Sequence, residues 1–140
     1  MQVRVKKLKE EAKVPEFAHQ ADAGMDLYSV ESYTLDPGEV RVFDTGIAVE
    51  LPEGYTAFAK DRSSMASKNV HVLAGVLDSG YRGEWGTTLV NHSDQPVEIE
   101  KHQKIAQFVV LPIPEVEIEE VENLSDSKRG QGGFGSTGKF

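Results

Sequence analysis

Val40-Arg41-Val42-Phe43-Asp44-Thr45-Gly46-Ile47-Ala48-Val49-Glu50-Leu51-Pro52-Glu53-Gly54-Tyr55-Thr56-Ala57-Phe58-Ala59 is the stretch whose pattern decides the fold. Val40/Val42 and Ile47/Val49/Leu51 put apolar side chains at every second position, the period of a half-buried strand. Pro52-Glu53-Gly54 is a turn signal, and the apolar run Tyr55–Ala59 beyond it reads as a strand buried on both faces. Working outward, Val3/Val5 and Val97/Ile99 repeat the alternation, while Val70–Leu73 and Phe108–Leu111 repeat the apolar run. Turn chemistry separates them at Asp36-Pro37-Gly38, Asp78-Ser79-Gly80 and Asn91-His92-Ser93-Asp94. Short strands punctuated at this spacing predict an all-β sandwich, jelly roll or barrel. The one helical candidate is Ser63–Lys68, with serine at its start.

The chain has 140 residues, which suits one domain. It contains no cysteine, so disulfides, thiolate zinc sites and thiol nucleophiles are all excluded. Its net charge of −8 argues against nucleic-acid polymers and anionic membranes as partners. No apolar run approaches a membrane span, and none of signal-peptide length follows the basic start Met1–Lys7. A soluble, cytoplasmic protein is expected, with the nucleus open to a eukaryotic or viral chain. The charge is unevenly spread. Residues 115–122 hold five glutamates alternating with aliphatic side chains, the pattern of a strand with one solvated face. Residues 125–140 are glycine-rich and basic, too poor in apolar side chains to fold alone, and read as a mobile arm on a core of residues 1–124.

Three segments carry chemistry. In the arm, Gly133-x-Gly135-x-x-Gly138 imitates a dinucleotide fingerprint and Gly133…Gly138-Lys139 nearly a P-loop, but the chain ends before any helix could follow. What remains is a set of anion donors: closely spaced glycine amides, the Arg129 fork and the Ser136 and Thr137 hydroxyls, with Phe134 free to lie on a planar ring. In Gly75–Glu84, an apolar run enters Asp78 at a turn, where a partly sheltered carboxylate can orient a water and take its proton; ordinary turn chemistry explains Asp-Ser-Gly as well. In Lys60–Ala66, Arg62 precedes serines at a helix start, an anion-binding arrangement or a capped surface helix. The four histidines have no metal-ligand spacing, and no Ser–His–Asp elbow or His-Glu-x-x-His is found.

Together the segments resemble the homotrimeric dUTPase family. Five motifs in order carry the likeness: Ala23–Ser29, Arg62–Ala66, Gly75–Glu84, Lys104–Gln107 and Arg129–Gly138. The resemblance implies a distorted jelly-roll homotrimer that hydrolyses dUTP to dUMP and pyrophosphate, with each active site built from three subunits. It implies Asp78 as the water-orienting residue and Tyr81 under the deoxyribose. The backbone of Gly75, Val76 and Leu77 would read the uracil edge. Arg62, Ser63, Ser64 and Gln107 would hold phosphates from one subunit. The arm of another would close the site, with Phe134 on the uracil, Gly135 beside it, and Arg129, Ser136 and Thr137 on the γ-phosphate. Mg²⁺ would be bound mainly through the triphosphate, with Asp26 at most in its outer shell through water.

Three departures from the family pattern stand out. Asp61 precedes Arg62 where proline or glycine is common, and it is expected to point away from the phosphates. Val72 stands where many bacterial relatives have a base-contacting asparagine. Lys101-His102-Gln103 replaces a glycine turn. The rival readings are a dCTP deaminase, whose glutamate base would fall at Thr88, and a non-catalytic nucleotide-binding regulator.

Overall fold

The structure, a computed structural model, describes residues 1–133 and Ser136. Eleven strands and one helical turn follow in the order β1 (Arg4–Lys7), β2 (Met25–Tyr28), β3 (Tyr33–Leu35), β4 (Val40–Phe43), β5 (Ile47–Glu50), β6 (Tyr55–Lys60), α1 (Ser63–Ala66), β7 (Val70–Leu73), β8 (Val76–Leu77), β9 (Thr87–Asn91), β10 (Val97–Ile99) and β11 (Lys104–Pro112). The sheets run β1-β5, β3-β10, β2-β11-β6-β8 and β4-β9-β7, every pair antiparallel. Among the described residues no strand pairs with its neighbour in sequence, so each connection crosses between sheets as in a jelly roll. The all-β expectation holds. Among the described residues no helix is long and apolar enough to cross a membrane.

Two apolar cores result. Leu27, Ile47, Val49, Trp85 and Phe108 fill the first, where the Trp85 and Phe108 rings lie 4.9 Å apart. Leu35, Phe43, Met65, Val70, Leu89 and Ile105 fill the second. Each large side chain so buried stabilises the fold by roughly 1.5–3 kcal/mol relative to exposure. Val72 packs against both cores, which places β7 at the seam between them.

Sequence and structure differ at four places. In β4 the alternation runs in the opposite phase. Val40 and Val42 are exposed, while Phe43 is buried and Arg41 stacks 3.8 Å from the Tyr33 ring and pairs with Glu31. A guanidinium can sit on the inner face because an aromatic ring and a carboxylate receive it. Residues 115–122 form no strand: Val116 and Ile118 are exposed, and among the described residues the segment pairs with none of the sheet edges, without which alternation alone makes no strand. The helix is only four residues long, and Arg62 rather than a serine occupies its N-cap, without a side-chain capping bond. The long apolar runs are also less symmetric than predicted, with Leu73 and Leu111 exposed at the outer ends of β7 and β11. Beyond β11, the Ile113 amide donates to Gly54 O at 2.8 Å, the last such bond from the tail to the folded body among the described residues.

Candidate functional site

The chain makes two separate clefts from the segments singled out above. The first, of about 260 Å³, opens between β6, β7, β8 and the start of β9. Its rim runs from Val72 through Gly75, Val76 and Leu77 to Asp78 and Tyr81, with Trp85 and Thr88 behind. Between Val72 and Leu77 this wall takes its shape from an unusual turn. Ala74 has φ +61° and Gly75 φ +114°, so the chain reverses between β7 and β8 within two residues. Gly75 O then accepts the Ala59 amide at 2.8 Å, and Leu77 O accepts the Thr56 hydroxyl at 2.9 Å, fixing the wall to β6. A Cβ on Gly75 would stand 2.7 Å from Ala59 Cβ. Gly75→Ala is therefore expected to cost at least about 1–3 kcal/mol of backbone strain and to distort the cleft. A denaturant melt and ligand titration of that variant, giving parental values in both, would contradict this account of the wall.

Asp78 lies at the mouth of this cleft. Its main-chain carbonyl accepts the Tyr81 amide at 3.1 Å, closing the turn. Its carboxylate is exposed and has no hydrogen-bond or ion-pair partner among the described residues. The side chain is thus not consumed by turn chemistry, and in the single chain it is not sheltered either. The Tyr81 hydroxyl donates to Glu84 O at 2.9 Å, and its ring lies over Gly83, where a Cβ would meet Tyr81 Cζ at 2.6 Å. That leaves a flat aromatic face at the cleft, nearly half exposed. The Glu84 carboxylate, also at this cleft, accepts the Gly46 amide at 2.8 Å.

The second cleft, about 250 Å³ and polar, joins Asp22, Gly24 and Asp26 to Arg62, Ser63 and Gln107. Here the structure brings together three segments far apart in sequence. Asp26 pairs directly opposite Gln107 in the β2–β11 ladder. Its buried carboxylate meets Arg62 Nε at 2.8 Å through Oδ1 and Lys104 Nζ at 2.7 Å through Oδ2; the second contact is an ion pair by distance, without hydrogen-bond alignment. A buried carboxylate needs such partners to stay charged. Arg62 is thereby held by one edge of its guanidinium, and its Nη1 lies 3.4 Å from the exposed Ser64 hydroxyl. Gln107 donates to Asp61 O at 2.9 Å. Nearby, the Tyr28 hydroxyl donates to Glu16, and burial together with that carboxylate pushes its phenol well above the ordinary range.

A single four-residue turn of helix carries little dipole, so Arg62 and the serine hydroxyls are the groups that can meet an anion here. Asp26, already neutralised by two cations, does not fit as a direct metal ligand. Its remaining lone pairs can accept from a metal-bound water. Among the described residues no group of three His, Cys, Asp or Glu side chains could hold a metal ion. In the arm, Arg129 Nε donates to Gly132 O at 2.7 Å and Ser136 is exposed. Phe134, Gly135 and Thr137 lie outside the described residues. The segment missed by sequence reasoning is the Asp26–Arg62–Lys104 ion triad. Acidic Asp26 among the apolar Met25, Leu27 and Tyr28 was its only signal.

The molecule is thus an antiparallel jelly roll with one aromatic-edged cleft and one arginine–serine cleft. A family profile for dUTPase matches residues 10–138. The deoxyuridine 5'-triphosphate nucleotidohydrolase of Clostridioides difficile is 52% identical over 139 residues, spanning 97% of each chain. The dUTPase of Staphylococcus bacteriophage 80alpha, solved with dUpNHpp, superposes with a TM-score of 0.92 at 34% identity over 98% of both chains. A mutant dUTPase from phage phi11 of S. aureus, described with a structural Mg(II) ion, has a TM-score of 0.83 and 29% identity over 90% of this chain and all of the other. This chain belongs to the dUTPase family.

Proposed function

We propose that this protein hydrolyses dUTP to dUMP and pyrophosphate as a homotrimer. The observation that carries the reading is Asp78: a free carboxylate at the mouth of a nucleoside-sized cleft, in a chain of this family. Water held by Asp78 gives up a proton to it as the oxygen attacks the α-phosphorus, and the bond to the pyrophosphate oxygen breaks. The main chain of Gly75–Leu77 reads the uracil edge, and the Tyr81 ring packs under deoxyribose and leaves no room for a 2′-hydroxyl. Arg62, Ser63, Ser64 and Gln107 bind phosphates. Arg129, Phe134, Gly135, Ser136 and Thr137 complete the site from another subunit, excluding other water. Bound Mg²⁺ would supply charge neutralisation on the triphosphate, with Asp26 meeting one of its waters.

Two features support the assembly. The nucleoside and phosphate clefts of one chain share no lining residue, so each needs a complement. Val40, Val42 and Val76 expose apolar surface that a subunit interface would cover. A cytoplasmic location suits the substrate.

Purified protein incubated with Mg²⁺ and dUTP, dCTP, dTTP or UTP tests the reading. Pyrophosphate is expected from dUTP alone. Ammonia from dCTP would point instead to a deaminase, although Thr88, which lines the cleft, has no carboxylate to serve as base. Binding without turnover would point to a regulator.

A further inference from the structure

Asp61 lies between β6 and α1 and bonds to a residue of each cleft, Val72 of the first and Gln107 of the second. Its Oδ1 accepts the Val72 amide at 2.6 Å, and its Oδ2 lies 2.7 Å from His71 Nδ1. Its main-chain oxygen accepts Gln107 Nε2 at 2.9 Å. Strands β6 and β7 belong to different sheets and share no ladder. At this end of the molecule, then, a single carboxylate spans the opening that a ladder would otherwise close. On one side it holds Val72, which lines the nucleoside cleft; on the other its own backbone precedes Arg62 and anchors Gln107, both in the phosphate cleft. The carboxylate faces a third depression, between Lys60, Val72 and Ala74, and not the phosphate cleft. The expected orientation away from the phosphates therefore has a positive cause. His71 is held in turn by Asn69 Oδ1 at 3.1 Å, and Asn69, at φ +59°, donates to His92 O. An ordered polar chain thus backs the carboxylate on its outer side.

We propose that Asp61 is a positioning residue that locks the β7 wall of the nucleoside cleft to the Arg62–Gln107 phosphate anchor. It touches no substrate; it sets the spacing of groups that do. At 2.6 Å the bond to the Val72 amide is short, and a hydrogen bond weakens steeply once its alignment is lost. The proposal rests on the reading of the two clefts given above. A proline or glycine at this position would supply no such acceptor, so the lock would belong to chains that carry an acid here.

The test compares Asp61→Ala, Asp61→Asn and Asp61→Glu with the parent. Asparagine retains an acceptor at the same reach, whereas glutamate keeps the charge but moves it by one methylene. Asp61→Ala and Asp61→Glu are expected to raise KM for dUTP about tenfold, equivalent to about 1.4 kcal/mol, with kcat changed less than about threefold, the signature of lost uniform binding. Asp61→Asn should stay near parental values. Independently of any substrate, the Val72 amide should exchange its hydrogen faster in the alanine and glutamate variants when followed by NMR. Parental KM and parental Val72 exchange in Asp61→Glu would overturn the lock. So would an asparagine variant as impaired as alanine, since charge rather than the acceptor would then matter. If Asp61→Ala does not fold, the glutamate and asparagine pair still decides. A parent that turns over no dUTP would sink the proposed function and leave the exchange measurement standing as the test of the lock.

Discussion

Asp78→Asn is expected to fold and bind as the parent does while turning dUTP over about 10²–10⁴ times more slowly, the usual contribution of a positioned general base. Structurally, the carboxylate is exposed and unpartnered among the described residues, and the turn is closed by the main-chain carbonyl, which asparagine retains. Surface replacements of this kind usually stay within about 0.5 kcal/mol of the parent. Chemically, an amide can still hold a water by hydrogen bonding but cannot take its proton. Melting temperature, the dissociation constant of dUpNHpp and the rate of pyrophosphate release should therefore separate, with only the last falling. A variant retaining even a tenth of the parental rate would remove Asp78 from the proposed role.

Removing residues 129–140 is expected to reduce dUTP turnover by about 10²-fold or more, the scale on which lost positioning acts, while leaving the fold intact. Nothing buried is lost among the described residues of this stretch, since Arg129 and Ser136 are exposed and the bonds there are local, such as Arg129 to Gly132. Among the described residues the last main-chain tie to the body comes far earlier, at Ile113. Circular dichroism and sedimentation of the truncated chain should match the parent, and kcat/KM should not. A truncated enzyme of parental activity would exclude the arm from the site.

The architecture was legible wherever burial follows period. Ile47 and Val49 alternate, face the core and pair with β1 as their spacing suggests. Strands whose inner face is polar were not legible. Asp26 and Tyr28 lie buried in β2 because Arg62, Lys104 and Glu16 reach them from elsewhere in the chain. Asn91 reads as turn chemistry, yet it is fully buried at the end of β9, where its side-chain amide donates to Leu35 O and Gln95 O. Such residues carry no local signal because their partners are tertiary. The same holds for residues 115–122, whose alternation is strand-like while the missing half of the ladder is a matter of partner, not of sequence. Of the site, the individual groups were legible as chemistry. Their division into two clefts was not, because it depends on which strands cross between sheets.

The reversal at Ala74–Gly75 has a consequence for how such a cleft can change. One wall takes its shape from two left-handed backbone conformations and from carbonyls tied to β6. Under the proposed reading, selectivity for the base is stored in the path of the polypeptide. Drift in neighbouring side chains would leave that selectivity standing. Retuning the pocket to another base would then involve the path of the loop as well as the side chains on it.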